Sequence, residues 1–322
     1  MSHDPLSDVL ASVRLTGAFF FSFEGAAPWV AESPPASAIS GHLMPKVDHL
    51  LEFHAVTRGH CLGGLLGEEA VRLEAGDVIC FPHGDPHVLS SAPGLRAPSQ
   101  FAALYQQARS SKLPFPVKLG SGSAEVHVVC GFLGCDARPF NPLLASLPRV
   151  LRASDGDGVS GGWLSKLMEM AEQEARSPRP GSEGVLARLS ELLFVEVLRR
   201  HLELLPPDRT GWLAGLRDPH VGKALALLHA RPGHAWTLDG LGHEAGLSRS
   251  ALAEHFTALV GEPPIQYLAR WRMQVAAGLL DSTRDGVAAI GAQVGYASEA
   301  AFSRAFKKLV GIPPATWRRR QR

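Results

Sequence analysis

Ser248-Arg-Ser-Ala-Leu252-Ala-Glu-His-Phe256 and Ser298-Glu-Ala-Ala-Phe302-Ser-Arg-Ala-Phe306 are one local pattern written twice, fifty residues apart. Val260-Gly-Glu-Pro-Pro264 follows the first copy and Val310-Gly-Ile-Pro-Pro314 the second. Ser248 and Ser298 suit an N-cap, where the hydroxyl satisfies a free backbone N–H. Leu252 and Phe256, like Phe302 and Phe306, sit one turn apart on a face that must be buried. Gly261 and Gly311 suit the left-handed residue that ends a helix, and the Pro pair stops its continuation.

Working outward, a shorter helix is expected ahead of each copy: Thr237 to Ala245 before Gly246, and Val287 to Val294 before Gly295. Helix, tight Gly turn, capped helix is the helix-turn-helix pattern. One copy could be an ordinary helical hairpin; two in register point to a repeated reading element. Pro264 to Leu280 reads as a connecting helix with the stripe Ile265, Leu268, Trp271, Val275, Leu279. Such a connector could hold two recognition helices about one DNA turn, roughly 34 Å, apart.

These residues carry a resemblance. The segment is similar to the DNA-binding domain of the AraC/XylS transcription regulators, most specifically from Ala288-Ala-Ile290 through Gly295-Tyr296 to Pro313-Pro314. The resemblance implies outward recognition positions Arg249, Ser250, Ala253 and Glu254 in the first helix and Glu299, Ala300, Ser303 and Arg304 in the second. Arg304 suits a bidentate contact to guanine, and a Glu could accept from cytosine. Lys307, Lys308, Arg249 and Arg318-Arg-Arg320 suit phosphate. The plain alternative for each is a solvated helical face.

Charge agrees. Residues 218–322 hold 13 Lys+Arg against 8 Asp+Glu, leaving 19 against 23 before them, so basic charge gathers where phosphate contact needs it. With 45% hydrophobic and 20% charged residues the 322-residue chain reads as globular, long enough for two or three domains. No apolar run approaches a membrane span and no signal-peptide pattern opens the chain, so a cytoplasmic protein with no membrane partner is expected. Four Cys argue against a disulfide scaffold.

The N-terminal half reads differently. After a helix over Asp4–Leu10 come short apolar runs at Ala18–Phe23, His49–Thr57, Leu62–Leu66, Ala70–Leu73, Asp77–Phe81, His87–Ser90 and Ala124–Leu133. Short strands with frequent turns predict a β-barrel or jelly roll. Gly76-Asp-Val-Ile-Cys-Phe-Pro82-His-Gly84-Asp-Pro-His87 fits the second cupin motif, and Glu52 to Gly59 the end of the first. The half thus resembles the cupin effector domain of the same regulators. It departs from metal-binding cupins in lacking the His-X-His pair, and Ser91 replaces the final Asn.

Glu52 and His54 share a strand face, and alternation turns Val126, Val128, Cys130 and Phe132 inward. His54, His87 and Cys130 could converge on zinc. Alternatively, Cys130 is a small buried hydrophobe and the imidazoles are hydrogen-bonded. A Cys130–Cys135 regulatory disulfide is a further reading. Helices are predicted over Trp163–Arg176 and Glu183–Leu205, with Ser154–Gly162 as a flexible loop. The apolar stripe of this pair favours a homodimer, with packing on the barrel as the alternative.

The expected fold is therefore α+β and multidomain: a cupin-like sensor over 1–140, a helical dimerisation hairpin and linker over 141–210, and a double helix-turn-helix over 216–322. The expected function is a sequence-specific transcription regulator, activator or repressor, responding to a small molecule, metal or oxidant. Promoter DNA and RNA polymerase are the expected partners. The alternative is a metal-dependent cupin enzyme with an accessory DNA-binding domain; the missing His-X-His pair leaves few ligands for a catalytic iron. No Ser-His-Asp, phosphate-loop or Rossmann pattern appears.

Overall fold

The structure, a computed structural model, describes residues 3–45, 47–97, 115–157, 162–177 and 179–320. Two compact units form: Leu15–Cys135 with Leu147–Leu204, and Met1–Arg14 with Asp136–Ser146 and Leu205–Arg322. These cuts differ from 140 and 210, because two short segments distant in sequence join the C-terminal unit. No helix among the described residues is long and apolar enough to cross a membrane.

The first unit is built on two sheets. Its strands are β1 (Thr16–Gly25), β2 (Val30–Ser33), β3 (His49–Arg58), β4 (His60–Leu65), β5 (Val71–Glu74), β6 (Val78–Phe81), β7 (His87–Ser90), β8 (Phe115–Leu119), β9 (Val126–Cys135) and β10 (Leu151–Ala153). They form a six-stranded sheet ordered β10-β6-β3-β9-β1-β8 and a four-stranded sheet ordered β2-β7-β4-β5. One core joins both sheets, with Phe21, Leu50, Val128 and Phe132 from the first and Leu65, Leu73 and Leu89 from the second. The inward face expected for Val126, Val128, Cys130 and Phe132 is the one observed. A short helix, α2 (Ala36–Leu43), packs beside β3.

The outer face of the large sheet is covered as well. β9 is buried at every position and β3 nearly so. The cover is the helical pair, α4 (Trp163–Arg176) and α5 (Ser182–Leu204); α3 (Pro142–Ser146) belongs to the other unit. Leu186, Leu189, Leu193 and Val197 of α5 are buried, and α5 lies along β1. The stripe expected to form a homodimer is thus covered within the chain, the alternative weighed above. Asp155, in a loop expected to be flexible, forms a single 3-10 turn with Gly156 and Asp157. Its carboxylate accepts from the N–H groups of Leu164 and Ser165, which opens α4. Residues 158–161 of that loop lie outside the described residues.

The second unit carries α1 (Pro5–Ser12), α3, α6 (Trp212–Arg217), α7 (Pro219–Ala230), α8 (Leu238–Ala245), α9 (Arg249–Val260), α10 (Pro264–Ser282), α11 (Val287–Gln293), α12 (Glu299–Val310) and α13 (Pro314–Arg320). The expected caps are present. Ser248 Oγ accepts from Ala251 N at 3.3 Å and Ser298 Oγ from Ala301 N at 3.2 Å. Gly261 (φ 89°) and Gly311 (φ 91°) end α9 and α12 in the left-handed region. Connector α10 serves both motifs: Tyr267 meets Phe256 of the first, while Met273, Ala277 and Leu280 join Ile290, Phe302 and Phe306 of the second.

Gln274 explains why chain-distant segments join this unit. Its buried amide donates to Ser12 O at 2.9 Å and accepts from Phe140 N at 3.0 Å. Asp136 N donates to Val13 O, closing the same seam.

Candidate functional site

Two constellations emerge, one in each unit. In the β unit, β3 aims Glu52 and His54 into the core, and the loop after β6 delivers His87. Gly84 (φ 66°) makes that loop tight: a Cβ there would stand 2.4 Å from Ala36 Cβ and 2.8 Å from Leu50 O. His87 then stacks on Phe81, ring centroids 3.8 Å apart.

Protons order the cluster. His87 Nδ1 lies 2.8 Å from Asp85 O, so it carries the hydrogen and donates. His87 Nε2 is then an acceptor, and His54 Nε2, 2.7 Å away, must donate to it. That leaves His54 Nδ1 to accept from the Cys130 thiol at 2.7 Å. The chain from Cys130 to Asp85 is neutral throughout, as burial demands. Burial holds the His54 imidazole well below its ordinary range and pushes His87 down to about 4. It drives the Cys130 thiol well upward. Burial also pushes the Glu52 carboxyl up to about 8, although Ser33 donates to it at 2.9 Å.

Glu52, His54 and His87 could hold a metal ion: their ligand atoms lie within 4.8 Å of one another and all three are buried. Glu52 Oε1 finds no hydrogen-bond partner among the described residues, so one acceptor there is unsatisfied, which fits a cation. The three residues His54, His87 and Cys130 do meet. Cys130 and His87, however, address opposite nitrogens of the His54 ring, so one ion cannot take all three in this arrangement. Glu52, whose carboxylate lies within reach of His54 and His87, could be the third ligand in place of Cys130, whose thiol donates to the other nitrogen of His54. The sequence signal was present, since Glu52 fits the cupin motif and shares the His54 face. Cys130 and Cys135 stand five apart on β9 and point to opposite faces; both are free thiols, and no disulfide joins them.

In the second unit, Arg249, Ser250, Glu254, Glu299, Ala300, Arg304, Lys307 and Lys308 are exposed, and Ala253 and Ser303 are partly so. Phe302 and Phe306, fully buried, hold the opposite face of α12 against the core. Arg249 has a distant partner, Asp239 at 3.7 Å. Arg318 is not presented to phosphate: it donates to Leu280 O at 3.0 Å and Asp285 O at 2.7 Å, tying α13 to the end of α10.

Comparison with known proteins assigns a family to each half of the sequence. The cupin family model matches residues 4–203 and a helix-turn-helix domain model residues 241–320. A protein of Streptomyces antibioticus named as an AraC-like transcription regulator is 33% identical over 98% of this chain and 98% of its own. A protein of Streptomyces lividans with the same description is 32% identical over 98% of each. This chain belongs to the AraC-like transcription regulators. Among solved structures, a regulator from Chromobacterium violaceum with an AraC-type DNA-binding domain is 26% identical, covering 32% of this chain and 92% of that one, TM-score 0.31. The AraC-like regulator thus has a cupin-type β unit and a helix-turn-helix unit for DNA, and its curated relatives are transcription regulators.

Proposed function

We propose that this AraC-like regulator reads two neighbouring major-groove segments of promoter DNA with α9 and α12, and that zinc bound by Glu52, His54 and His87 sets its state. The observation that carries the DNA reading is the pair of capped helices, the second bearing exposed Arg304, Lys307 and Lys308. Arg304 reads a base edge, while Lys307 and Lys308 hold phosphate. Replacing Arg304 with Ala should relax preference at one base position, at a cost of about 1–3 kcal/mol there. Lys308→Ala should weaken all sequences alike and reduce the salt slope by about one. Selection of bound DNA at several salt concentrations checks both. Unchanged affinity in both variants sinks the assignment of α12.

The buried cluster supports sensing more than catalysis. Two imidazoles and a carboxylate are also the ligand set of oxygen-activating iron enzymes. The cavity they line, however, has about 20 Å³ of space, room for one water and not for an organic substrate. Zinc would take the place of the Glu52 proton. Its affinity should therefore tighten as pH rises towards about 8, where Glu52 ionises. Calorimetry at several pH values and a zinc-dependent rise in melting temperature check this. Glu52→Gln should lose both; zinc uptake that is flat with pH, or intact in Glu52→Gln, removes Glu52 from the site.

Dimerisation would use what the helical pair leaves exposed: Trp163 and Met170 on α4, Val185 and Leu192 on α5, seven residues apart on each helix. Two copies would gain affinity by occupying two sites at once. RNA polymerase is the partner expected of an activator acting in the cytoplasm. A signal alters DNA binding only as far as it favours one arrangement of the units.

A further inference from the structure

A cleft of about 590 Å³ opens within the helix-turn-helix unit, away from the exposed faces of α9 and α12. Its long wall is one face of α10: Trp271, Val275, Gly278 and Leu279, at helical spacing. Ala11 of α1, Pro139 and Trp317 of α13 contribute other walls. The volume falls within the range of small-molecule pockets.

The polar groups around it are nearly all engaged with one another. Arg14 reaches Asp136 at 2.5 Å and Asp281 at 3.5 Å. Asp8 Oδ2 lies 2.5 Å from His3 and 3.4 Å from His229. Trp317 Nε1 donates to Asp281 at 3.0 Å, and the Gln274 amide holds the seam described above. Arg138 has a partner as well. Opposite charges at the rim therefore answer each other, and a charged ligand would have to break such a pair.

Asp8 Oδ2 and His229 Nδ1 make no hydrogen bond but face one another at 3.4 Å, whereas Trp271 has no polar partner at all among the described residues. It is 3% exposed, stacks on His229 with centroids 3.9 Å apart, and its Nε1 has no acceptor among the described residues. The other indoles of this unit do donate: Trp212 to Tyr267, Trp236 to Arg231 O and Trp317 to Asp281. A buried N–H left unpaired keeps its full desolvation cost, so an acceptor brought to it is rewarded.

Gly278 is the second pointer. It sits inside α10, where Gly is less favourable than Ala because it gives up more backbone freedom on folding. Neither its backbone nor its neighbours demand it: its φ is ordinary, and a Cβ would meet nothing within 4 Å. What the missing side chain does is keep the wall of the cleft low.

We infer that this cleft is a second ligand site, built for an uncharged, mainly apolar ring compound whose one carbonyl-type oxygen accepts from the Trp271 indole while its body lies along α10 over Gly278. Since α10 joins both reading motifs, an occupant touches the element that sets their spacing.

The test uses the full-length chain with ¹⁵N-labelled indoles, the Trp271 signal being assigned with Trp271→Phe. Acetophenone, a neutral aryl ketone, is the probe and benzoate its anionic counterpart. Acetophenone should shift the Trp271 indole proton saturably, and benzoate should bind at least about tenfold more weakly. Gly278→Leu should fill the cleft and abolish the shift. Gly278→Ala should keep it and raise the melting temperature. Absence of a saturable shift overturns the inference, as does a shift undiminished in Gly278→Leu. Tighter binding of benzoate overturns the uncharged class. No DNA or zinc enters the tube, so the result is independent of the promoter-reading and zinc proposals.

Discussion

Phe306→Ala should lower the melting temperature of the helix-turn-helix unit by more than about 10 °C and remove its hold on DNA. Phe306 is fully buried, with Phe302 at 5.6 Å on one side and Trp317 at 6.1 Å on the other. Truncating a buried Phe costs about 3–5 kcal/mol, through lost transfer energy and the cavity left behind. That is a large part of the stability of a small unit. Leu309, three residues on in the same helix and 42% exposed, is the control: Leu309→Ala should change stability by no more than about 0.5 kcal/mol. Melting of the full-length variants followed by circular dichroism, with DNA retention on the same samples, decides it. A Phe306→Ala protein as stable as the parent would mean that α12 is not anchored through this face.

Gly17→Leu should detach α5 from β1. A Cβ at position 17 would stand 2.0 Å from Ser190 Oγ, which can turn away, and 2.6 Å from Ala187 O, which is helix backbone and cannot. The Gly17 N–H also donates to Glu191 at 3.1 Å, so strand and helix are in direct register. Overpacking of this kind costs about 1–3 kcal/mol or more, and a branched side chain deepens it. Hydrogen exchange should rise along α5, with a fall in melting temperature. Gly41→Ala, in α2 with open space around its Cβ, should be neutral or stabilising. If Gly17→Leu were tolerated, α5 would not be seated on β1, and the helical pair would be free to serve chiefly as a dimer arm.

Several elements escaped the sequence reading for identifiable reasons. β10 is three residues long, too short for an alternation to register, and β2 is hemmed in by Pro28 before it and Pro34 and Pro35 after it. β8 contains Pro116, which argues against a strand except at a sheet edge, and β8 is an edge strand. α2 has no side-chain cap, since Pro35 holds that position. The core-facing alternation of β9 was legible because one face of a strand repeats every second residue. Its full burial was not, since only the covering helices decide it.

The sequence alone determined the reading elements. Ser248, Gly261, Ser298 and Gly311 set helix ends through hydrogen bonds to neighbours in the chain, and Leu252, Phe256, Phe302 and Phe306 mark the buried face by helical spacing. Both signals are local, so consecutive residues contain them in full. Tertiary structure alone decided which nitrogen of His54 faces Cys130 and which faces His87, and that Glu52 comes within reach of the two imidazoles. It also decided that α5 covers β1 and that Gln274 draws Ser12 and Phe140 into the helix-turn-helix unit. Those outcomes depend on which surfaces fit together across tens or hundreds of residues, and no spacing along the chain encodes that fit.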